Sequence, residues 1–253
     1  MLCISDLIKV VICLALLTYA SISDYKSREV SDKIWMFSYP LGLAISLYEA
    51  LFIYGYEHLI MLGLSVISSS LLGFPLLYFG LFGGADVKAL IMISLFFTKH
   101  SAIINLGVMP ILSIFPISVF INSLLLSLIF PISLLFRNIL WALNGGTLFE
   151  NGLYKDPLWK KVITLVSCIK VRVEDFKGPP FQYLAEKVTE REGVLVRELR
   201  VSLRLEDEDY LECLRGMPLK EVWVTPTLPF IVFITLGFVV SIFFGDPLFF
   251  LFM

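Results

Sequence analysis

Long apolar stretches separated by short polar segments dominate the chain. A helix needs about 20 apolar residues to cross the hydrocarbon of a bilayer. The hydropathy pattern predicts six membrane spans, the fourth of them short, at residues 4–23, 34–53, 59–81, 86–97, 112–136 and 227–244. Lys9 is expected to extend toward the end of the first span, where water can reach it. Pro131 is expected to kink the fifth helix near its end.

A polar region lies between the fifth and sixth predicted spans. Apolar residues alternate with polar ones at 163–173 and 195–205, which predicts strands, and residues 221–224 add a short third one. Apolar residues at 181–188 recur at helical spacing, and Gly193 is expected to end that helix. These patterns predict a small α+β domain at residues 141–225. Residues 1–140 then hold helices one to five, and residues 226–253 hold helix six and the C-terminus.

The fold class is therefore mainly α: a polytopic membrane protein with six transmembrane helices and a small α+β domain before the last one. The composition agrees, since 58% of the 253 residues are hydrophobic, whereas a soluble domain averages about 45–50%. With these spans, every Lys and Arg except Lys9 and Lys99 lies on the same side of the membrane as the loop that follows the first span. Basic residues favour the cytoplasm, so this side and the α+β domain are predicted to be cytoplasmic, with both termini outside.

Composition also limits the chemistry. The net charge of −2 argues against a nucleic-acid surface. The four cysteines form no CxxC pair and the chain has two histidines, so the sequence predicts no structural zinc site and no cofactor.

The candidate catalytic residues are two aspartates at span boundaries, Asp24 and Asp86. Asp24 ends the first span and Asp86 begins the fourth. Two complete spans lie between them, so both side chains are predicted on the same face. A carboxylate at the edge of the hydrocarbon is costly and indicates a function.

Two such carboxyl groups can hydrolyse a peptide bond by sharing a proton around one water molecule. Asp86 opens a helix, whose dipole favours its anion, while Asp24 ends one. This difference predicts Asp86 as the base and Asp24 as the proton donor. Gly83, Gly84 and Ala85 are predicted to support the catalytic loop beside Asp86, because glycine permits a tight turn and close backbone approach.

Simpler interpretations remain open at this point. Either aspartate alone is more commonly a helix cap or an interfacial charge. Together they could also be relay groups of a proton- or ion-coupled transporter. A third alternative is a membrane anchor whose polar domain binds a partner without doing chemistry.

Two motifs resemble those of the archaeal type IV prepilin peptidases, which include the preflagellin (prearchaellin) peptidases and are membrane aspartic proteases of the GxGD kind. Residues 24–32 (DYKSREVSD) resemble the family's first-aspartate segment, and residues 83–88 (GGADVK) resemble its GxGD segment. Ala85 stands where that motif has its second glycine. Residues 218–226 also look like the entry to the last span of archaeal members.

The resemblance implies that Asp24 and Asp86 are the catalytic pair of an endopeptidase in the cell membrane. Its partners would be preflagellin or pilin-like precursors with short basic leader peptides, which it would cleave at the cytoplasmic face. Bacterial relatives often add a cysteine-rich zinc segment and N-methylation. This chain lacks the cysteine spacing for that segment, so proteolysis alone is predicted.

Overall fold

The computed structural model describes residues 4–99, 114–150, 152–191, 194–200 and 219–245. Within them the helices are α1 Ile4–Ser27, α2 Asp32–Glu49, α3 Tyr56–Tyr78, α4 Gly84–Phe96, α5 Phe115–Ser127, α6 Ile129–Leu143, α7 Leu158–Ser167 and α8 Phe230–Phe244. The strands are β1 Ile169–Arg172, β2 Gln182–Leu184, β3 Glu186–Arg191, β4 Val194–Leu199 and β5 Glu221–Pro226. The chain forms two compact units, one of Met1–Ser127 with Pro229–Met253 and the other of Leu128–Leu228.

The chain is mainly helical, as predicted, with a small strand-containing region near the C-terminus. Among the described residues, four helical stretches are long and apolar enough to cross a membrane: Ser5–Ser27, Asp32–Tyr54, Tyr56–Tyr78 and Phe115–Leu143. Helix α8 is apolar but shorter, and α4 has 13 residues. The count of six spans and the cytoplasmic orientation therefore stay predictions.

Proline accounts for a break in the fourth long stretch. The helical run is interrupted at Leu128, between α5 and α6. Pro131 has no N–H to donate to the carbonyl group four residues earlier, and its ring crowds that carbonyl. The interruption lies three residues before Pro131, and the kink predicted at Pro131 itself stays a prediction. The helical stretch continues to Leu143 rather than ending at residue 136.

Helix α4 lies at the centre of the first unit, in contact with α1, α2, α3, α5 and α8. Its residues Val87, Leu90 and Ile93 are buried. Glycines allow two neighbouring helices to approach it closely. A Cβ on Gly42 of α2 would lie 2.8 Å from the ring of Phe96, and one on Gly73 of α3 would lie 2.8 Å from Cγ1 of Val87.

A buried ionic cluster joins α1 to the end of α2. Nζ of Lys9 lies 2.8 Å from Oε1 of Glu49 and 2.9 Å from Oδ1 of Asp6, and Nε2 of His58 lies 3.6 Å from Oε2 of Glu49. Lys9 is only 5% exposed and Glu49 only 1%. The prediction that Lys9 extends toward water is therefore wrong, because a buried charge at this depth is stabilised by an opposite charge instead.

The second unit contains an antiparallel sheet of order β1-β5-β2 and a hairpin of β3 and β4. Side chains of β5 alternate between two apolar clusters. Val222 and Val224 pack with Val171 and α6 residue Leu134 on one face. Trp223 packs on the other face with residues that include Leu153, Cys168, Ala185 and Leu199.

Two of the predicted elements in this region are wrong. Ile163 and Leu165, predicted in a strand, lie in α7, and the strand begins only at Ile169. The segment predicted as a helix at 181–188 forms β2 and the start of β3, because both pair with other strands. The predicted strand at 195–205 is present as β4 up to Leu199. Its remainder from residue 201, and Gly193, lie outside the described residues.

Candidate active site

The end of α1 is fixed by a left-handed residue that follows it. Arg28 has a φ of 59°, and its backbone N–H donates to the carbonyl group of Asp24 over 2.9 Å. The hydroxyl groups of Ser23 and Ser27 both donate to the carbonyl oxygen of Glu29, over 2.7 and 3.1 Å. These bonds satisfy polar groups at the helix end. They hold Asp24 one turn before a defined stop.

The side chain of Asp24 faces the start of another helix. Its carboxyl group interacts with the backbone N–H of Ile231, in the first turn of α8, and with the positive charge of Arg28. Asp24 is half-buried. A helix N-terminus carries free N–H groups and a partial positive charge, so it stabilises a nearby carboxylate.

A pair of hydroxyl groups joins α1 to α8 one turn before Asp24. The hydroxyl oxygens of Ser21 and Thr235 lie 2.7 Å apart, and each hydroxyl group also lies within bonding distance of the carbonyl oxygen of Ile231, at 3.3 and 2.9 Å. We call Ser21 and Thr235 the hydroxyl clasp. Because Ser21 and Asp24 are three residues apart, they share a side of α1. The clasp therefore sets the side of α1 that meets α8.

Asp86 lies in the first turn of α4 and is 7% exposed. Its Oδ2 accepts a hydrogen bond of 2.8 Å from the backbone N–H of Gly83. The N–H of Asp86 in turn donates to the carbonyl group of Gly83 over 3.2 Å. The first of these bonds is one half of a capping box, in which an acidic residue three positions into a helix satisfies the free N–H of its cap. Gly83 has no side chain for the other half, so its backbone carbonyl group accepts from Asp86 instead.

The glycines before Asp86 are exposed. Gly83 is the N-cap of α4 with a φ of −78°, and Gly84 is its first residue, with open space where a Cβ would stand. Ala85 follows as the second helical residue and is half-buried. The positive φ in this segment belongs to Gly80, at 72°. Gly83 and Gly84 therefore add no side chains to the surface beside Asp86.

Asp24 and Asp86 lie near each other. Their helices α1 and α4 are in contact, and the charge of Asp24 acts on Asp86 through space. Both carboxyl groups face a helix N-terminus, that of α8 for Asp24 and that of α4 for Asp86. The sequence argument that gave them different roles used the start of α4 for Asp86 but, for Asp24, only the end of α1. With α8 included, helix dipoles no longer distinguish the two.

Lys88 has a specific partner beside the site. It forms an ion pair with Asp32, the first residue of α2, while its carbonyl oxygen accepts a hydrogen bond of 3.1 Å from the hydroxyl group of Tyr39. Both contacts join α2 to the second turn of α4. The charge of Lys88 is thus directed to Asp32 and not to Asp86.

Sequence reasoning missed the contribution of α8. Ile231 and Thr235 lie more than 200 positions from Asp24 and Ser21, and nothing in a hydropathy pattern pairs distant helices. The role of Arg28 had one signal, its place in the segment that follows Asp24. Among the described residues, no three or more His, Cys, Asp or Glu side chains are grouped so that they could hold a metal ion.

Comparisons with known proteins agree with the two motifs. A model of the type IV leader peptidase family matches residues 11–132, and a model of the archaeal peptidase A24 C-terminus, type II, matches residues 160–247. A preflagellin peptidase of Methanococcus maripaludis (strain C6) is 28% identical over 238 residues, covering 91% of this chain and 92% of that protein. Preflagellin peptidases of Methanococcus voltae and Methanocaldococcus jannaschii are 28% and 25% identical over 237 residues. They cover 92% of this chain and 93% and 92% of their own lengths.

Proposed function

Because the chain is a protease that belongs to the type IV leader peptidase family, we propose that it is an aspartic endopeptidase in the cell membrane. Its substrates are preflagellin or pilin-like precursors, from which it removes a short basic leader peptide at the cytoplasmic face. The catalytic groups are Asp24 and Asp86. The proposal rests on two carboxyl groups that come from the contacting helices α1 and α4 and lie within electrostatic range of each other, inside the segment that the peptidase model matches.

The mechanism follows from two carboxyl groups that share one proton. Nearby carboxylates cannot both ionise cheaply, so the pair titrates as a unit. The ionised member accepts a proton from water, and the resulting oxygen attacks the peptide carbonyl carbon. The protonated member donates its proton to the carbonyl oxygen, which gives a tetrahedral intermediate. The C–N bond then breaks as the proton taken from water passes to the amine nitrogen, and a hydroxyl proton of the intermediate returns to the second carboxylate. Water and the peptide bond are the only reactants.

The surroundings of each aspartate suit this chemistry. The N–H of Gly83 holds one oxygen of Asp86, which leaves the other oxygen for water. The N–H of Ile231 and the charge of Arg28 stabilise negative charge on Asp24. Substrate would approach over the exposed Gly83 and Gly84, which add no side chain of their own in the path of an extended peptide.

The test is cleavage of a purified precursor by the full-length enzyme in detergent, followed by the shift to mature subunit on a gel. Asp24→Asn and Asp86→Asn should each abolish the shift. The matched control is Glu57→Gln, which removes an exposed carboxylate in the first turn of α3 and should cleave like wild type. Cleavage retained by either aspartate variant rejects the dyad. A wild-type enzyme that leaves all precursors intact rejects the substrate class, and the transporter alternative then has to be tested by ion flux.

The membrane face needs a separate test. Single cysteines at Ser27 and Gly83, both exposed and close in sequence to the two aspartates, should react with a membrane-impermeant thiol reagent from the same side of sealed vesicles. That side should correspond to the cytoplasm. Reaction from opposite sides would contradict a shared catalytic face.

A further inference from the structure

Helix α7 carries an exposed apolar side in an otherwise charged part of the chain. Leu158, Trp159, Val162 and Ile163 are 79%, 56%, 58% and 40% exposed. At 100° per residue these four positions, with Val166, share one side of the helix. Thr164, on the opposite side, is 1% exposed, and Leu165, at the edge of the exposed side, packs against an apolar cluster. Helix α7 therefore has one buried side and one exposed apolar side.

The polar residues of α7 are turned away from this exposed side. Nζ of Lys160 donates to the carbonyl group of Leu199 over 3.0 Å, and Nζ of Lys161 donates to that of Tyr154 over 2.7 Å. Tyr154, just before α7, is 62% exposed and adds an aromatic ring with a polar end. Exposed apolar groups combined with Trp, Tyr and nearby Lys are typical of helices that lie in a membrane surface.

The level of α7 relative to the bilayer follows from its contacts with α6. Arg137 is the first charged residue in the apolar stretch Phe115–Leu143. Because a charge at the bilayer centre is costly, Arg137 marks the depth at which this stretch reaches the headgroups. The next residue, Asn138, donates from its amide nitrogen to the carbonyl groups of Leu165 and Cys168, over 2.8 Å in each case. The C-terminal end of α7 is thus held at headgroup depth.

From these contacts we propose that α7 lies in the membrane surface, with Leu158, Trp159, Val162 and Ile163 inserted among the lipid headgroups and upper acyl chains. The occupant of the exposed face is the lipid of the membrane that α6 crosses. The face would anchor the second unit to the bilayer at a second point, one helix beyond the end of α6. This proposal is independent of the proteolytic chemistry, since α7 contributes no group to the aspartate pair.

The test uses full-length protein in lipid bilayers, with single spin labels in a background without the four native cysteines. Labels at positions 159 and 162 should collide severalfold more with oxygen, which partitions into lipid, than with a water-soluble nickel chelate. The matched control is a label at Lys187, which is exposed on β3 of the same unit and should show the opposite ratio. The protein should also be diluted with lipid, because a face covered by a second copy would show spin–spin broadening that dilution removes.

Three results would overturn the proposal. The first is an oxygen-to-nickel collision ratio at position 162 equal to that at position 187. The second is a low collision rate of the labels at 159 and 162 with both reagents. The third is spin–spin broadening that depends on the density of protein in the bilayer. A second measurement requires no cysteine replacement. The fluorescence difference between wild type and Trp159→Leu isolates the signal of Trp159. Lipids brominated on the upper acyl chain should quench that signal strongly, and quenching no greater than that by aqueous iodide would contradict membrane insertion.

Discussion

A tight helix contact beside Asp86 gives the sharpest prediction. Gly73 of α3 faces Val87, the neighbour of Asp86 in α4, and a Cβ at position 73 would lie 2.8 Å from Cγ1 and 3.2 Å from Cγ2 of Val87. Carbon atoms pack best at roughly 3.5–4.0 Å. Gly73→Ala therefore requires a displacement on the order of 1 Å. Val87 is 2% exposed and β-branched, so its side chain cannot rotate away easily.

The displacement should fall on α4 and move Asp86 relative to Asp24. A misplacement of about 1 Å in a catalytic group can lower the rate about a hundredfold. Overpacking lowers the stability of a fold by roughly 1–3 kcal/mol, but replacing a helical glycine by alanine raises helix stability by about 1 kcal/mol. We therefore expect Gly73→Ala to lower kcat/KM for precursor cleavage strongly while the melting temperature in detergent falls only slightly.

Two further variants make the argument specific. Val87→Ala removes Cγ1 and Cγ2, the two atoms that a Cβ at position 73 would crowd, and leaves only an ordinary contact of 3.4 Å with the Cβ at position 87. Gly73→Ala combined with Val87→Ala should therefore recover most of the lost kcat/KM. Gly63→Ala is the matched control, since Gly63 lies on the same helix and a Cβ there meets nothing within 4 Å. It should cleave like wild type. Wild-type activity of Gly73→Ala, or failure of the double variant to recover, would refute the reasoning.

Three other predictions concern the clasp and the second unit. Thr235→Val removes the hydroxyl group that meets Ser21, so the free energy of unfolding in detergent should fall by roughly 0.6–1.7 kcal/mol, with reduced kcat; an unchanged enzyme would exclude a positioning role. Arg197→Met leaves Glu186 buried and without its bidentate partner. The free energy of unfolding should therefore fall by about 3–5 kcal/mol, and adding Glu186→Leu should restore part of that loss. The hydrogen bond to Lys170 holds the pKa of Glu150 below its usual range. The ionised Glu150 side chain therefore stabilises the folded protein above the pKa that this group has in the unfolded chain. This stabilisation is lost as pH falls through the pKa of Glu150 in the folded protein. The melting-temperature difference between wild type and Glu150→Gln should shrink in that acidic window, and a difference that grows there would contradict the sign.

The sequence could predict those parts of the site that depend on the order of the apolar stretches and on the number of spans between the two aspartates. Asp24 at the end of α1 and Asp86 at the start of α4 follow from where apolar stretches stop and begin. The contact of Asp24 with the first turn of α8 could not be predicted, because it joins residues more than 200 positions apart. Glu49 was missed for a related reason: one acid barely changes the mean hydropathy of a span, and its partner Lys9 lies 40 positions away.

The errors in the second unit have local causes. Ile163 and Leu165 alternate like strand residues, but Leu158, Trp159, Val162 and Ile163 also fit one side of a helix, and over so few residues the two periods cannot be separated. Residues 181–188 have helical spacing, yet pairing of Tyr183 with Thr225 and of Val188 with Arg197 places them in strands. Cross-strand packing outweighs a weak local preference.

The most direct test of the central claim is whether Asp24 and Asp86 act as one unit. The measurement is kcat/KM for precursor cleavage by wild type, Asp24→Asn, Asp86→Asn and the double variant, under single-turnover conditions. If the two carboxyl groups share one proton around one water molecule, removing either loses nearly all catalysis, and the double variant is no slower than the single ones. Losses that multiply in the double variant would mean that the aspartates act independently, and the shared-proton mechanism would be wrong.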